Sequence, residues 1–328
     1  MNSPKLSDSP APAAAQPVEV APATPDARAP AAGPRAGTTG PLTRAFNVTV
    51  FFGLHVLAVS LAVHEGVSAS ALGLFALVSA ALVFGITAGY HRYFAHRSFQ
   101  TSRAFQFVLA LLGTLALQKG VLWWAGHHRR HHRESDRDGD VHSPVRRGFW
   151  WAHLGWILVP DWEATDLDGI KDMAKYPELR WLNEHYHLPP LALSVLVGTT
   201  LGAQHLAWGC FMSTMLVGHA TFCINSVAHL VGRRVYATDD QSRNNWVLAL
   251  LTFGEGWHNN HHFFPASARQ GFRWYEVDVT YYALCALERL GVVWGLKRPT
   301  PEIVAGWLGG RNHLVARAAA APAGVDAA

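Results

Sequence analysis

The chain has 328 residues, of which half are hydrophobic and only 15% are charged, against roughly 25% in an ordinary soluble domain. A net charge of +4 gives no sign of a nucleic-acid partner. The three cysteines, Cys210, Cys223 and Cys285, form no CxxC pair and sit among apolar residues. They argue against a disulfide framework or an iron–sulfur cluster and suit a reducing compartment.

Residues 1–42 are rich in Ala and Pro and nearly empty of large apolar side chains. Such a segment cannot bury enough surface to offset its ordering entropy, so a disordered tail is expected. A membrane domain is expected over 43–310, with a second disordered tail over 311–328. Two apolar runs, Ala45–Val63 and Ala69 to about Tyr90, each approach the ~20 residues that cross a bilayer. The turn between them lacks Lys and Arg, so they pair as a hairpin. Phe105–Leu117 is apolar but short for a span. A long Arg-rich polar segment follows, to about His187. Leu188–Trp208 and Gly209–Leu230 then form a second expected hairpin, its turn again without Lys or Arg. By the positive-inside rule the Arg-rich segments and both termini are cytoplasmic. The expected fold is an all-α integral membrane protein with four transmembrane helices and a cytoplasmic helical cap.

This topology gathers the histidines at one membrane face. The stretch GHHRRHHRESDRDGDVH (126–142) holds His127, His128, His131 and His132 within six residues, and His258-Asn259-Asn260-His261-His262 repeats an H-x-x-H-H spacing. Positions i, i+3 and i+4 share a helix face, so each triplet is expected to aim three imidazoles at one point. The parallel with His258 favours His128 over His127 as the start of the first triplet. His91 and His96, five apart, do not align on a continuous α-helix, and the helix is expected to end or unwind there. These eight histidines are too many for one ion; two metals with four to five each is the natural division. Imidazole suits iron, zinc, copper and nickel alike. Two adjacent irons with open positions could cleave O2, which a single redox-silent zinc could not.

The stretches GITAGYHRYFAHRSF (85–99), HRRHH (128–132), NSVAHLVGRRVY (225–236) and GEGWHNNHHFFP (254–265) resemble the boxes of membrane fatty acyl desaturases, closest to the stearoyl-CoA Δ9 branch. The resemblance covers about residues 45–298. It implies a four-span, mushroom-shaped helical fold whose cap holds a di-iron centre of nine histidines. The ninth is His229, and Asn225 stands where the family has a residue that reaches iron through water. The implied reaction uses O2 and two electrons to leave a cis double bond in a saturated acyl chain on CoA or on a lipid. Gln118, Trp124 and Thr221 stand where the family pins a bend in its acyl tunnel, and Ser79 and Val83 fall near that tunnel's closed end. One departure concerns the carrier. The animal enzymes have charged pairs that hold coenzyme A, where this chain has Gly126-His127 and Val159-Pro160. Nothing after residue 298 resembles a haem segment, so electrons are expected from a separate ferredoxin-, rubredoxin- or cytochrome-type protein. In a bacterium the chain would sit in the inner membrane.

Other histidines have plainer readings. His55, His205 and His219 are expected to hydrogen-bond within the helix bundle. His142 and His153 are candidates for orienting a ligand, His185 and His187 less so. Asp136, Asp138 and Asp140 read as a solvated turn or as partners of ligands rather than as ligands. The nearest rival reaction is hydroxylation or ketone formation by the same kind of centre. A histidine-rich metal transporter would need ionisable residues along its spans, and these spans lack Asp, Glu, Lys and Arg at depth.

Overall fold

The computed structural model describes residues 41–315. The two expected tails fall outside that range except at their inner edges. The chain is mostly helical. Helix α1 (Pro41–Glu65) turns at Gly66, whose φ of 68° suits glycine, into α2 (Ala69–Ala95). Ser68 caps α2 by accepting a hydrogen bond from the Ala71 amide at 3.2 Å. Next come α3 (Arg103–Leu115), α4 (Val121–Glu134), α5 (Pro177–Glu184), α6 (Leu188–Leu201) and α7 (Ala203–His229). Short helices α8 (Trp246–Leu251), α9 (His258–Phe263) and α10 (Val279–Arg289) complete the order. Two small antiparallel pairs stitch the ends together: β1 (Gln100–Thr101) on β2 (Val293–Trp294), and β3 (Trp307–Leu308) on β4 (Arg311–Asn312).

Among the described residues, three helices are long and apolar enough to cross a membrane: Arg44–Glu65, Ala69–Ala95 and Ala203–His229. The second hairpin differs from expectation. Its turn was expected near residue 208, but the chain breaks at Gly202, with φ 87°. The first arm, α6, is therefore only 14 residues, short of the ~20 that a span needs, and the second is 27. Hydropathy sees one apolar run across Gly202, whereas backbone conformation sees a glycine-only angle.

In α2 the expected break takes the form of an unwinding. The helix does not end before His96. From Gly85 to Ala95 it winds as a π-helix, and the His96 amide bonds the His91 carbonyl at 3.1 Å. That i→i+5 register brings residues five apart onto one face. Glycine makes room for the wider turn: a Cβ on Gly85 would lie 2.4 Å from the Leu112 carbonyl carbon of α3. Tyr90, Phe94, Leu109 and Leu122 are buried between α2, α3 and α4. Asn183 of α5 fixes the start of α4 by accepting from the Leu122 and Trp123 amides, at 3.0 and 2.9 Å. The histidine-bearing turns of α4 are thereby held against those of α2.

Candidate metal centre

All nine histidines named above converge at one end of the bundle, in two groups that could each hold a metal ion. One comprises His91 and His96 of α2, His128 and His132 of α4, and His261 of α9. The other comprises His131 of α4, His229 at the end of α7, and His258 and His262 of α9. The triplets do not aim at one point as expected. Each gives its i and i+4 members to one group and its i+3 member to the other. At about 100° per residue, i and i+4 differ by about 40°, while i+3 and i+4 are about 100° apart. The two H-x-x-H-H motifs thus lace the groups together.

Within the five-histidine group the Nε2 atoms approach closely: His91 to His261 at 3.0 Å, His96 to His128 at 2.9 Å, His128 to His132 at 3.0 Å and His132 to His261 at 2.9 Å. His229 and His258 stand 3.0 Å apart in the other group. Imidazole nitrogens sit about 2.0–2.1 Å from an ion such as zinc, so octahedral edges measure about 3.0 Å and tetrahedral edges about 3.3 Å. The observed spacing is that expected of nitrogens gathered around one ion. The His262 Nε2 is buried without a hydrogen-bond partner, as a donor awaiting a cation would be. The residues present fit a pair of metals.

The opposite ring nitrogens are held by carboxylates. His131 Nδ1 meets Asp140 at 3.0 Å, His229 Nδ1 meets Asp136 at 3.0 Å, and His262 Nδ1 meets Asp240 at 2.6 Å. Glu255 contacts His91 Nδ1 and is itself paired with Arg92 at 3.1 Å. Such partners fix the tautomer that leaves Nε2 free for metal. Burial, reinforced by neighbouring imidazoles, holds His96, His128, His132, His258 and His261 well below the usual histidine range. They remain neutral, which is the ligating form. Burial also lowers His262, to about 4, despite Asp240 beside it. Burial would lower His131, but Asp140, with Asp240 and Asp136 nearby, raises it.

Of the acidic turn, Asp136 and Asp140 hold histidines, while exposed Asp138 pairs with Arg146. Asp240 and Glu255 escaped the sequence reading. Neither has a motif spacing that announces it; only the fold brings them to their histidines. His142 packs against His131 with ring centroids 4.4 Å apart and the planes tilted by 34°. His127 turns away, its Nδ1 2.9 Å from the Trp123 carbonyl. His153, His219 and His55 form a chain of contacts at 3.1 Å each, and His205 meets Ser70 at 3.1 Å. His185 bonds the Trp181 carbonyl within its own turn at 2.9 Å.

An inner chamber lies against the histidines, walled by Val83, Trp124, Val217, Thr221 and Asn225 together with His91, His128, His131 and His258. It shares Trp124, His128, Thr221 and Asn225 with a middle chamber that also contains Gln118. Gln118 donates to Thr221 at 3.0 Å where these spaces meet. His187 lines the middle chamber. Ser79 is buried with its hydroxyl unpartnered and lines none of these spaces.

A model of the fatty acid desaturase family matches residues 68–287. The chain belongs to the fatty acid desaturase family. It is 39% identical to the sn-1 stearoyl-lipid 9-desaturase of Anabaena variabilis over 80% of its length and 97% of that protein's. It is 41% identical to the sn-2 palmitoyl-lipid 9-desaturase of Nostoc sp. over 77% of its own length and 90% of the relative's. To the icosanoyl-CoA 5-desaturase of Limnanthes douglasii it is 38% identical, over 77% and 72%. The chain is a fatty acyl desaturase, an oxidoreductase whose histidine clusters border a largely apolar cavity.

Proposed function

We propose that this desaturase is an integral membrane enzyme that uses O2 and two electrons to place a cis double bond, at Δ9, in a saturated acyl chain carried by a membrane lipid. The observation that carries the reading is the abutment of two imidazole clusters on an apolar chamber. His91, His96, His128, His132 and His261 would hold one iron, and His131, His229, His258 and His262 the other, with Asn225 reaching the second through water. Bound iron would supply the activation of O2 that removing hydrogen from an unactivated chain requires. The protein's own part is positional. Gln118, Thr221 and Trp124 would bend the chain so that one C–C bond lies beside the histidines, and such holding selects the reacting position. Val83 at the chamber wall would limit how far the chain extends; Ser79, behind that wall, would act only through packing. The names of the relatives from Anabaena and Nostoc support the lipid carrier and the Δ9 position. The uncharged Gly126-His127 and Val159-Pro160 agree with a carrier other than coenzyme A.

We place the clusters and both termini on the cytoplasmic side, with four helices within the membrane, the short α6 among them. Electrons would come from a separate ferredoxin-, rubredoxin- or cytochrome-type protein. A polar pocket that shares no lining residue with the chambers supports this, since it reaches His132 and His262 and is edged by Arg133 and Arg137 as well as Asp239 and Asp240. The test is expression in a bacterium lacking such activity, with fatty acids profiled by gas chromatography–mass spectrometry. A new cis-Δ9 monounsaturated acid, absent with His261→Ala, is the expected result. A new hydroxy acid would move the assignment to hydroxylation.

A further inference from the structure

We infer that the acyl chain reaches the histidines sideways out of the bilayer, through a cleft between α1 and α6, while still attached to its glycerolipid. The inference rests on the acyl-lipid reading above and adds the route.

Helices α1 and α6 both pack on the Ala207–Met212 stretch of α7. At that end α1 is tied down: Gln204 donates to the Glu65 carbonyl and Trp208 to the Gly66 carbonyl, each at 2.8 Å. Towards the histidines a cleft opens between the two helices. Phe51 and Leu54 of α1, Leu191 and Ser194 of α6, and Met215 and Phe222 of α7 line it. Leu54 and Leu191 are 48% and 58% exposed, on helices whose outer faces are apolar, so the mouth of the cleft faces lipid rather than water.

The cleft is continuous with the site. Phe51, Leu54, Leu117 and Gln118 line both it and the middle chamber, which joins the inner chamber past Thr221. An alkyl chain entering between α1 and α6 meets the Gln118–Thr221 hydrogen bond and then the histidines, without leaving apolar surroundings. The charge pattern selects the occupant. Among the described residues that line the cleft and the two chambers, Lys119 is the one Lys or Arg. A nucleotide carrier with several phosphates needs charge-assisted partners that these walls do not offer. A glycerolipid leaves its headgroup at the membrane surface and needs none here.

The test uses the full chain in nanodiscs containing phosphatidylglycerol with a diazirine near the end of one acyl chain. After irradiation, mass spectrometry maps the labelled residues, a readout independent of metal and electron donor. Label on Met215 and Phe222 is expected, and it should be lost in Leu54→Trp and in Ser194→Trp but kept in Leu72→Trp, on an exposed face of α2. Label confined to outward faces in the wild type, or unchanged label in both cleft variants, overturns the route. Turnover of distearoyl phosphatidylglycerol, run in parallel with a reduced ferredoxin, separates the two claims. Desaturation that persists in Leu54→Trp overturns the route and leaves the enzyme assignment intact. Cleft labelling without desaturation upholds the route and counts against the assignment.

Discussion

A single carboxylate can govern a ligand it never replaces. Asp240 accepts from His262 at 2.6 Å, and loss of such a partner typically costs about 10–100-fold in metal affinity. Asp240→Asn should therefore lose metal to a competing chelator well before the wild type does, whereas Asp138→Asn, at the exposed pair with Arg146, should not. Acid sensitivity follows from burial. Burial lowers His127 to about 4 against the pull of the Trp123 carbonyl, and lowers His262 to a similar value. Between about pH 6.5, where an unfolded histidine titrates, and about pH 4, the unfolded chain binds protons that the folded chain refuses. Stability of the metal-free protein is full above that window and falls as pH drops through it. His131, raised by Asp140 against burial, runs the other way but is outnumbered by its neutral neighbours. Thermal unfolding in detergent from pH 7.5 to pH 4.5 should give a falling midpoint. At this scale the sequence was a good guide to histidines and a poor one to their partners. An H-x-x-H-H repeat declares itself by spacing, while Glu255, paired with Arg92, and Asp240, which accepts from the Ser242 amide and hydroxyl, acquire meaning only from the fold.

The π-wound half of α2 is the element on which the five-histidine group depends. Its wider turn lies against α3, and Gly85 permits the approach because any side chain there would collide with the backbone at Leu112 and Gly113. Gly85→Ala should cost about 1–3 kcal/mol, as overpacking does. It should also separate His96 from His128, lowering bound metal per folded protein as measured by plasma emission spectrometry. A substitution at Gly53, where nothing lies within 4 Å, should leave metal content unchanged. Spacing alone argued that the helix ends or unwinds at His91, because an α-helix puts residues five apart on different faces. The i→i+5 register was not legible, since hydropathy is blind to how a helix is wound. Gly202 gives the same lesson, where a backbone angle cut an apolar run that composition would have divided later. The gathering of boxes at helix ends, by contrast, was legible from hydropathy and basic residues, because both report on solvent rather than on geometry.

Across the whole molecule, a scaffold of apolar helices carries a polar cluster at one end, and the donors come from separate stretches of chain. Those stretches are far apart in order, from His91 to His262, and α9 supplies the last three nitrogens. This arrangement sets a timetable for biosynthesis. The chain emerges from the ribosome N-terminus first, so all three long apolar helices, ending at His229, have been made before His258 exists. On the ligand assignment above, neither cluster is complete until then. On that assignment, completing both ligand sets would be a late step in the protein's maturation.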